Sequence, residues 1–414
     1  MLEGRVRAPP SKSYTHRAVI AASLAEAPSR IASPLYSEDT GATINACVSF
    51  GVSVTQHETA LRIVPPSKLR APANDIYCRD SGSTIRFLTP VAALARGRSV
   101  LDGSRGLRRR PMGPLLEALR KLGVRCVSNN GFPPVTVFGG DLSGGRTSLV
   151  GNVSSQFVTG LLFACPLAER DTEITLTTPL ESKPYIRLTL DVLRKHEIDV
   201  YASDNLQSFT VPSKQRYASR DHLVPGDFSA AAFLLAAAAI TGSDVVVENL
   251  SMDQPDSAIV TILRRMGASV VLKDNSVRVV GRRLEGITID ATDSPDLVPA
   301  CAALACTSEG STHIYGAKRL EIKESDRLKT LTSELRAMGA DVVNEVDGLR
   351  INGTSLLHGA VIDPHSDHRI AMACTIAALK AKGKTQILKA ECVNKSYPNF
   401  FKDLKTLGGK IHVG

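Results

Sequence analysis

"LLEALRKLGVRCV", residues 115–127, places apolar side chains at helical spacing, then a glycine, then an alternating apolar run. A helix closed by a left-handed cap and followed at once by a strand is the local reading. The same phrase returns in "IVTILRRMGASVV" (259–271) and "LTSELRAMGADVV" (331–343). Looser versions are "TINACVSFGVSV" (43–54), "LTLDVLRKHEIDV" (188–200) and "FKDLKTLGGKIHV" (401–413). The markers Gly51, Gly123, Glu197, Gly267, Gly339 and Gly409 advance by about 70 residues, longer than the roughly 20–50 residues of solenoid repeats, so each copy is a small α/β subdomain. Glu197 stands where the others have glycine, which predicts a different turn in the third copy.

Between these phrases lie strand-like runs such as "RSVLDG", "TEITLTTPL" and "SDVVVENL", each ending in turn residues. Three copies fall in each half of the 414-residue chain, and two domains of about 200 residues is also what the length predicts. The boundary is placed at "LVPGDFSAAAFLLAAAAI". There Pro225-Gly226 breaks the chain, Asp227 or Ser229 caps, and a buried helix opens the second half. The expected domains are 11–224, and 1–10 together with 225–414.

Hydrophobic residues at 43% and charged residues at 22% are globular composition, with no apolar run near the roughly 18 residues of a membrane span. No apolar signal region precedes the first charged motif, so a cytoplasmic protein is expected. The eight cysteines form no C-x-x-C pair and read as small buried hydrophobes. A net charge of +9 favours anionic partners. With aromatics at 5% and no tryptophan, base-stacking platforms are hard to build, so small anionic substrates are expected rather than nucleic acid.

Neither G-x-x-x-x-G-K-[ST] nor G-x-G-x-x-G is present, which removes the usual nucleotide loops. "DPHSDHR" (363–369) sets two histidines and two aspartates within six residues, with His365 and His368 spaced to share a helical face. Asp367 nevertheless opens an apolar helix, where a cap is the simpler reading. "KESDRL" (323–328) on a lone helix is an ordinary solvated face. "DSGSTIRF" (80–87) and "GSRGLRRRP" (103–111) put glycines, hydroxyls and arginines near helix starts, where free N–H groups hold phosphate. "SSQF" (154–157) and "SKPY" (182–185) add neutral donors. Lys12, Arg17, Arg110, Lys323, Arg327, Arg369 and Lys395, drawn from both halves, would together suit two highly anionic substrates, since a phosphate monoester carries about −1.5 to −2.

In order along the chain, "SKSYTHR", "DSGSTIR", "LRRRP", "SSQF", "SKPY", "PD" (295–296), "KESDR", "DHR" and "NKSYP" resemble the 5-enolpyruvylshikimate-3-phosphate synthases, or 3-phosphoshikimate 1-carboxyvinyltransferases, from Ser11 to Lys395. The resemblance implies a two-domain inside-out α/β barrel, each domain built from three βαβαββ units with helix N-termini aimed at an interdomain cleft. It implies transfer of the enolpyruvyl group of phosphoenolpyruvate to the 5-hydroxyl of shikimate 3-phosphate, with no metal or organic cofactor. Carried over by motif, Lys12, Ser13, Arg17, Ser154, Ser155, Gln156, Ser182, Tyr185, Asp296, Arg319 and Lys323 are expected on shikimate 3-phosphate. Lys12, Gly82, Arg110, Gln156, Arg327, Arg369 and Lys395 are expected on phosphoenolpyruvate. Asp296 is the implied base and Glu324 the implied proton donor, with Lys12 assisting. Without the resemblance, Asp296 reads as a helix cap before "LVPACAALA".

Three positions depart from the family pattern: Pro10 for a common glycine, Arg319 for asparagine, and Phe87 for proline. A monomer without nucleic-acid or membrane partners is expected. Two alternatives are UDP-N-acetylglucosamine enolpyruvyl transferase, whose cysteine on the loop matching 103–111 is missing here, and a basic nucleic-acid-binding module.

Overall fold

The structure is a computed structural model that describes residues 2–353 and 356–412. It divides into a continuous unit, Lys12–Val224, and a split unit, Met1–Ser11 with Pro225–Gly414. Among the described residues each unit carries three sheets. Five of the six sheets have four strands in one arrangement: a parallel pair, then an antiparallel strand, then its hairpin partner. In the second copy Ile76–Tyr77 pairs parallel with Gly97–Asp102, which pairs antiparallel with Phe132–Gly139, which pairs antiparallel with Arg125–Asn129. A parallel pair needs a crossover, and the helix Gly82–Ala92 supplies it; the later hairpin needs only a tight turn.

The first strand of one copy in each unit comes from the far end of that unit's sequence. Glu3–Arg7 lies parallel to Asp244–Glu248 in the split unit, and His222–Leu223 lies parallel to Ser29–Ala32 in the continuous one. The chain therefore passes between units twice, at 11/12 and at 224/225.

In every copy the helix after the first strand is almost wholly buried, and the helix after the second strand is amphipathic. Phe228–Thr241, reading "FSAAAFLLAAAAIT", is apolar on all sides and buries every residue but Thr241, as a helix packed all round must. It packs with Val298–Cys306 and His368–Ala378 in the split unit, while Gly82–Ala92 and Ser155–Ala164 pack together in the continuous one. All eight cysteines are buried and unpaired. These buried helices matter for function because their first turns carry Lys12, Gly82, Ser155 and, just ahead of the helix, Asp296 and Asp367.

The amphipathic helices end in a shared turn. At Gly51, Gly123, Gly267 and Gly339 φ is 95°, 89°, 100° and 85°. The N–H groups of these residues and their successors bond back to the last helical carbonyls at 2.9–3.2 Å, the paired bonds of a Schellman cap. The third copy does not differ, contrary to expectation. Glu197 adopts φ 60° and makes the same bond to Arg194, at 3.0 Å. Its exposed side chain is free of the turn and pairs with Arg220, so the left-handed backbone costs only the usual 1–2 kcal/mol or so of a Cβ there.

The sixth copy departs in two ways. Its left-handed residue is Gly408 (φ 98°), one before the expected marker Gly409. No strand follows among the described residues, where "KIHV" predicts one; Val413 lies outside them. Its sheet is the two-stranded Val361–Ile362 with Gln386–Ile387.

Candidate active site

Two clusters of the expected residues form, one within each unit. In the continuous unit, Ser81 caps the helix Gly82–Ala92 by accepting from Thr84 N, and Gly82 is the first helical residue. A Cβ built on Gly82 would stand 2.7 Å from Arg110 Nη1, 3.3 Å from Arg86 Nη1 and 3.6 Å from Gln156 Oε1. A methyl group here would push the Arg110 guanidinium away and crowd that of Arg86 at a helix start, where unpaired N–H groups already favour an anion. Arg86 Nη1 donates to Gln156 Oε1 at 2.9 Å, and Gln156 Nε2 donates to Ser83 Oγ at 2.9 Å. The Arg86 guanidinium also lies over Phe157, 5.3 Å from its centroid. Ser154 caps the helix that begins at Ser155, its Oγ accepting from Gln156 N at 3.3 Å.

Arg17 joins two helices of the same unit. Its Nη1 donates to Ser13 O at 2.9 Å, Nη2 to Tyr185 O at 3.0 Å and Nε to Thr189 Oγ1 at 2.9 Å, with the Phe87 ring 5.1 Å away. Burial pushes its pKa down to about 9, with Tyr185 opposing. Ser182 precedes the helix Lys183–Lys195 in a left-handed conformation (φ 58°), and its side chain does not cap that helix. Such backbone strain clusters where a side chain is being aimed. Lys12 is the first residue of the helix Lys12–Leu24, and its ammonium pairs with the buried Asp39 at 3.0 Å.

In the split unit, one guanidinium gathers three carboxylates. Arg327, 1% exposed, donates from Nε to Asp367 Oδ2 at 2.9 Å, from Nη2 to Glu324 Oε2 at 2.6 Å and from Nη1 to Asp296 Oδ1 at 3.2 Å. Burial alone would lower its pKa, but Asp367, Glu324 and Asp296 outweigh that and raise it. Arg369 donates to Asp296 Oδ2 at 3.0 Å and to Asp296 O at 2.9 Å, and Lys323 Nζ stands 3.6 Å from Asp296 Oδ1. Desolvation pushes Lys323 down to about 8; Arg327 and Arg319 add to the shift, while Asp296 and Glu324 oppose it. Lys395 Nζ donates to Ser366 O at 2.7 Å, beside Asp367. Arg319 donates to Thr292 O, and its charge is among those that lower Lys323.

Two readings of the sequence are corrected here. "KESDRL" is not a solvated helix face: the helix begins at Arg327, capped by Asp326, and Arg327 is buried among carboxylates. The N-cap residue of the helix Val298–Cys306 is Leu297, not Asp296, whose carboxylate is held instead by Arg327 and Arg369. Asp367 does cap the helix His368–Ala378, accepting from Arg369 N at 3.0 Å, and it pairs with Arg327 as well. His365 lies ahead of that helix with φ 50°, so it shares no helical face with His368. Among the described residues, no group of three or more His, Cys, Asp or Glu side chains is placed to hold a metal ion.

Asp39 and the pairing role of Asp367 were not foreseen, and Arg86 was read only as the arginine of "DSGSTIRF", without its bond to Gln156. Asp39 lies 27 residues from Lys12 and Asp367 40 residues from Arg327, distances at which spacing carries no signal. Arg86 was legible, four residues after Gly82 on the same helix face.

The family model described as EPSP synthase (3-phosphoshikimate 1-carboxyvinyltransferase) matches residues 1–404. A protein of that name from Methanocaldococcus jannaschii is 43% identical over 419 residues, covering 100% of this chain and 97% of its own length. Another from Methanocella arvoryzae is 45% identical over 415 residues, covering 99% and 97%. A solved EPSP synthase from Acinetobacter baumannii superposes with a TM-score of 0.85 at 30% identity, over 100% of this chain and 97% of that one.

Proposed function

This chain belongs to the EPSP synthase family and transfers the enolpyruvyl group of phosphoenolpyruvate to the 5-hydroxyl of shikimate 3-phosphate, releasing phosphate; we propose that the two clusters above divide that work. The observation that carries the proposal is Asp296, held by Arg327, Arg369 and Lys323, with Glu324 on the same guanidinium. Residues 11–224 mainly hold shikimate 3-phosphate, through Lys12, Ser13, Arg17, Ser154, Ser155, Gln156, Ser182 and Tyr185. Residues 1–10 with 225–414 add Asp296, Arg319 and Lys323 to that substrate. For phosphoenolpyruvate the split unit supplies Arg327, Arg369 and Lys395, and the continuous unit supplies Lys12, Gly82, Arg110 and Gln156.

Asp296 accepts the proton of the attacking 5-hydroxyl as its oxygen bonds to the central carbon of phosphoenolpyruvate. Glu324, assisted by Lys12, delivers a proton to the methylene carbon, which becomes a methyl group. Phosphate then leaves as the methyl group returns a proton and the enol ether double bond re-forms. An anionic substrate competes with Glu324 and Asp296 for Arg327, which frees the carboxylates to exchange protons only when substrate is present. The cations stabilise negative charge on the departing phosphate, usually the larger part of such catalysis.

Glu324→Gln is expected to lower kcat by about 10²-fold or more while shikimate 3-phosphate still binds, since the amide cannot donate the proton. Near-normal turnover would remove Glu324 from this role. Gly82→Ala is expected to raise the KM for phosphoenolpyruvate about tenfold, or 1.4 kcal/mol, because its methyl group displaces Arg110 and Arg86. Melting temperature should change little, since the atoms it meets are the ends of flexible side chains.

No described helix is long and apolar enough to cross a membrane. We place the protein in the cytoplasm as a monomer that binds no nucleic acid. Sedimentation and a salt titration against duplex DNA test the last two statements, since phosphate contacts give steeply salt-dependent affinity.

A further inference from the structure

Behind the first turn of the helix Lys12–Leu24 the continuous unit holds a buried polar chain that the reaction as described does not use. Tyr14, His222 and His196 are 7%, 3% and 0% exposed. Tyr14 Oη lies 3.1 Å from His222 Nδ1, His222 Nε2 lies 2.9 Å from His196 Nε2, and His196 Nδ1 lies 2.7 Å from Ala218 O. Lys195 Nζ donates to Tyr14 Oη at 2.9 Å.

The direction of every proton follows from the last contact. A carbonyl only accepts, so His196 carries its proton on Nδ1, and the Nε2 of a neutral ring is then an acceptor. His222 must therefore donate from Nε2, which leaves its Nδ1 to accept from the Tyr14 hydroxyl. That hydroxyl oxygen in turn accepts from Lys195. All links are satisfied with both imidazoles neutral. A second proton on His196 would set N–H against N–H across 2.9 Å unless the His222 tautomer reversed, and either that reversal or a second proton on His222 would turn the Tyr14 hydroxyl from donor to acceptor across 3.1 Å, breaking the one-way order.

We propose that Tyr14, His222 and His196 form a one-way relay that positions the first turn of the helix Lys12–Leu24, and with it Lys12, Ser13 and Arg17, and that the relay holds only while both histidines are neutral. The residues come from three places that it joins. Tyr14 lies two positions beyond Lys12, His196 is the C-cap of the helix whose first turn carries Tyr185, and His222 is in the strand that ends one residue before the second chain crossing. These are positioning residues, and the proposal rests on the reading that Lys12, Ser13 and Arg17 bind shikimate 3-phosphate.

The surrounding groups favour the neutral rings. Burial pushes His222 down to about 3, with His196 and Lys195 adding and Asp221 opposing. Burial also lowers His196; the Ala218 carbonyl opposes, and Arg220 and Lys195 add. The Tyr217 ring lies 6.0 Å from that of His196. Because both rings take up protons less readily folded than unfolded, the stability they contribute is complete above about pH 6.5 and is lost as pH falls, for His222 toward about 3.

Imidazole ¹⁵N spectra of the intact protein between pH 7 and pH 4 test the relay. The expected result is His196 protonated on Nδ1 and His222 on Nε2, both neutral at pH 5. Either ring titrating near 6.5, or carrying the opposite tautomer, overturns the relay without any variant having to fold. Tyr14→Phe, assayed at pH 7 beside Ser13→Ala, tests positioning. Tyr14→Phe should raise the KM for shikimate 3-phosphate about fivefold or more while kcat and melting temperature change little. If Ser13→Ala raises that KM and Tyr14→Phe does not, positioning is wrong and the substrate site stands. If neither raises it, the substrate reading fails and the positioning claim falls with it.

Discussion

Asp296→Asn is expected to lower kcat by about 10²- to 10⁴-fold, the usual worth of a general base, without weakening the binding of phosphoenolpyruvate. The carboxylate stands between Arg327, Arg369 and Lys323. Asparagine keeps the shape but cannot accept the hydroxyl proton, and its NH₂ group faces guanidinium donors. One negative charge that competes with the substrate for three cations is also gone, so the affinity for phosphoenolpyruvate should stay the same or increase. Equilibrium binding and single-turnover phosphate release separate the two effects. Turnover near that of the native enzyme would remove Asp296 as the base, whereas lost binding would make it a structural counter-ion.

Arg327→Met should cost the split unit about 3–5 kcal/mol of stability, the usual effect of removing one partner from a buried ion pair. Asp367, fully buried, Glu324 at 11% and Asp296 at 22% exposure would face one another without the guanidinium that now holds them. Like charges so placed repel, and although Asp296 keeps Arg369 and Lys323, the fully buried Asp367 cannot reach water without opening the helix starts at Arg327 and His368. Denaturant unfolding monitored on a probe in 225–412 should show an earlier midpoint for that unit alone. An unchanged midpoint would mean that the carboxylates protonate at little cost and that Arg327 does not organise the cluster.

Local patterns in the sequence were sufficient for the repeated architecture. The helix, cap and strand lie within about 13 residues in five of the six copies, and the left-handed cap is a glycine at five of six positions. Glu197 shows the limit of that signal: the turn is set by the backbone bonds to Arg194 and Leu193, and an exposed glutamate can bear the strain. The last copy was misread by one residue because Gly408 and Gly409 are adjacent, and only φ distinguishes them.

At the site, the cations and hydroxyls were legible as motifs, but their counter-charges were not. Asp39 sits in the first turn of the helix Glu38–Ser49, and Asp367 at the start of His368–Ala378; in sequence either is an ordinary acidic helix start. Folding turns them into partners of Lys12 and Arg327. The relay was out of reach for the same reason, since Tyr14 and His222 are 208 residues apart.

A crystal structure of this protein with shikimate 3-phosphate and a non-reacting phosphoenolpyruvate analogue tests the central claim most directly. The account predicts phosphate and carboxylate oxygens within hydrogen-bond distance of Lys12 and Arg110 from one unit and of Arg327, Arg369 and Lys395 from the other, with Asp296 at the 5-hydroxyl. Both ligands held by one unit alone, with Asp296 still bound to Arg327 and Arg369 and remote from the hydroxyl, would contradict it.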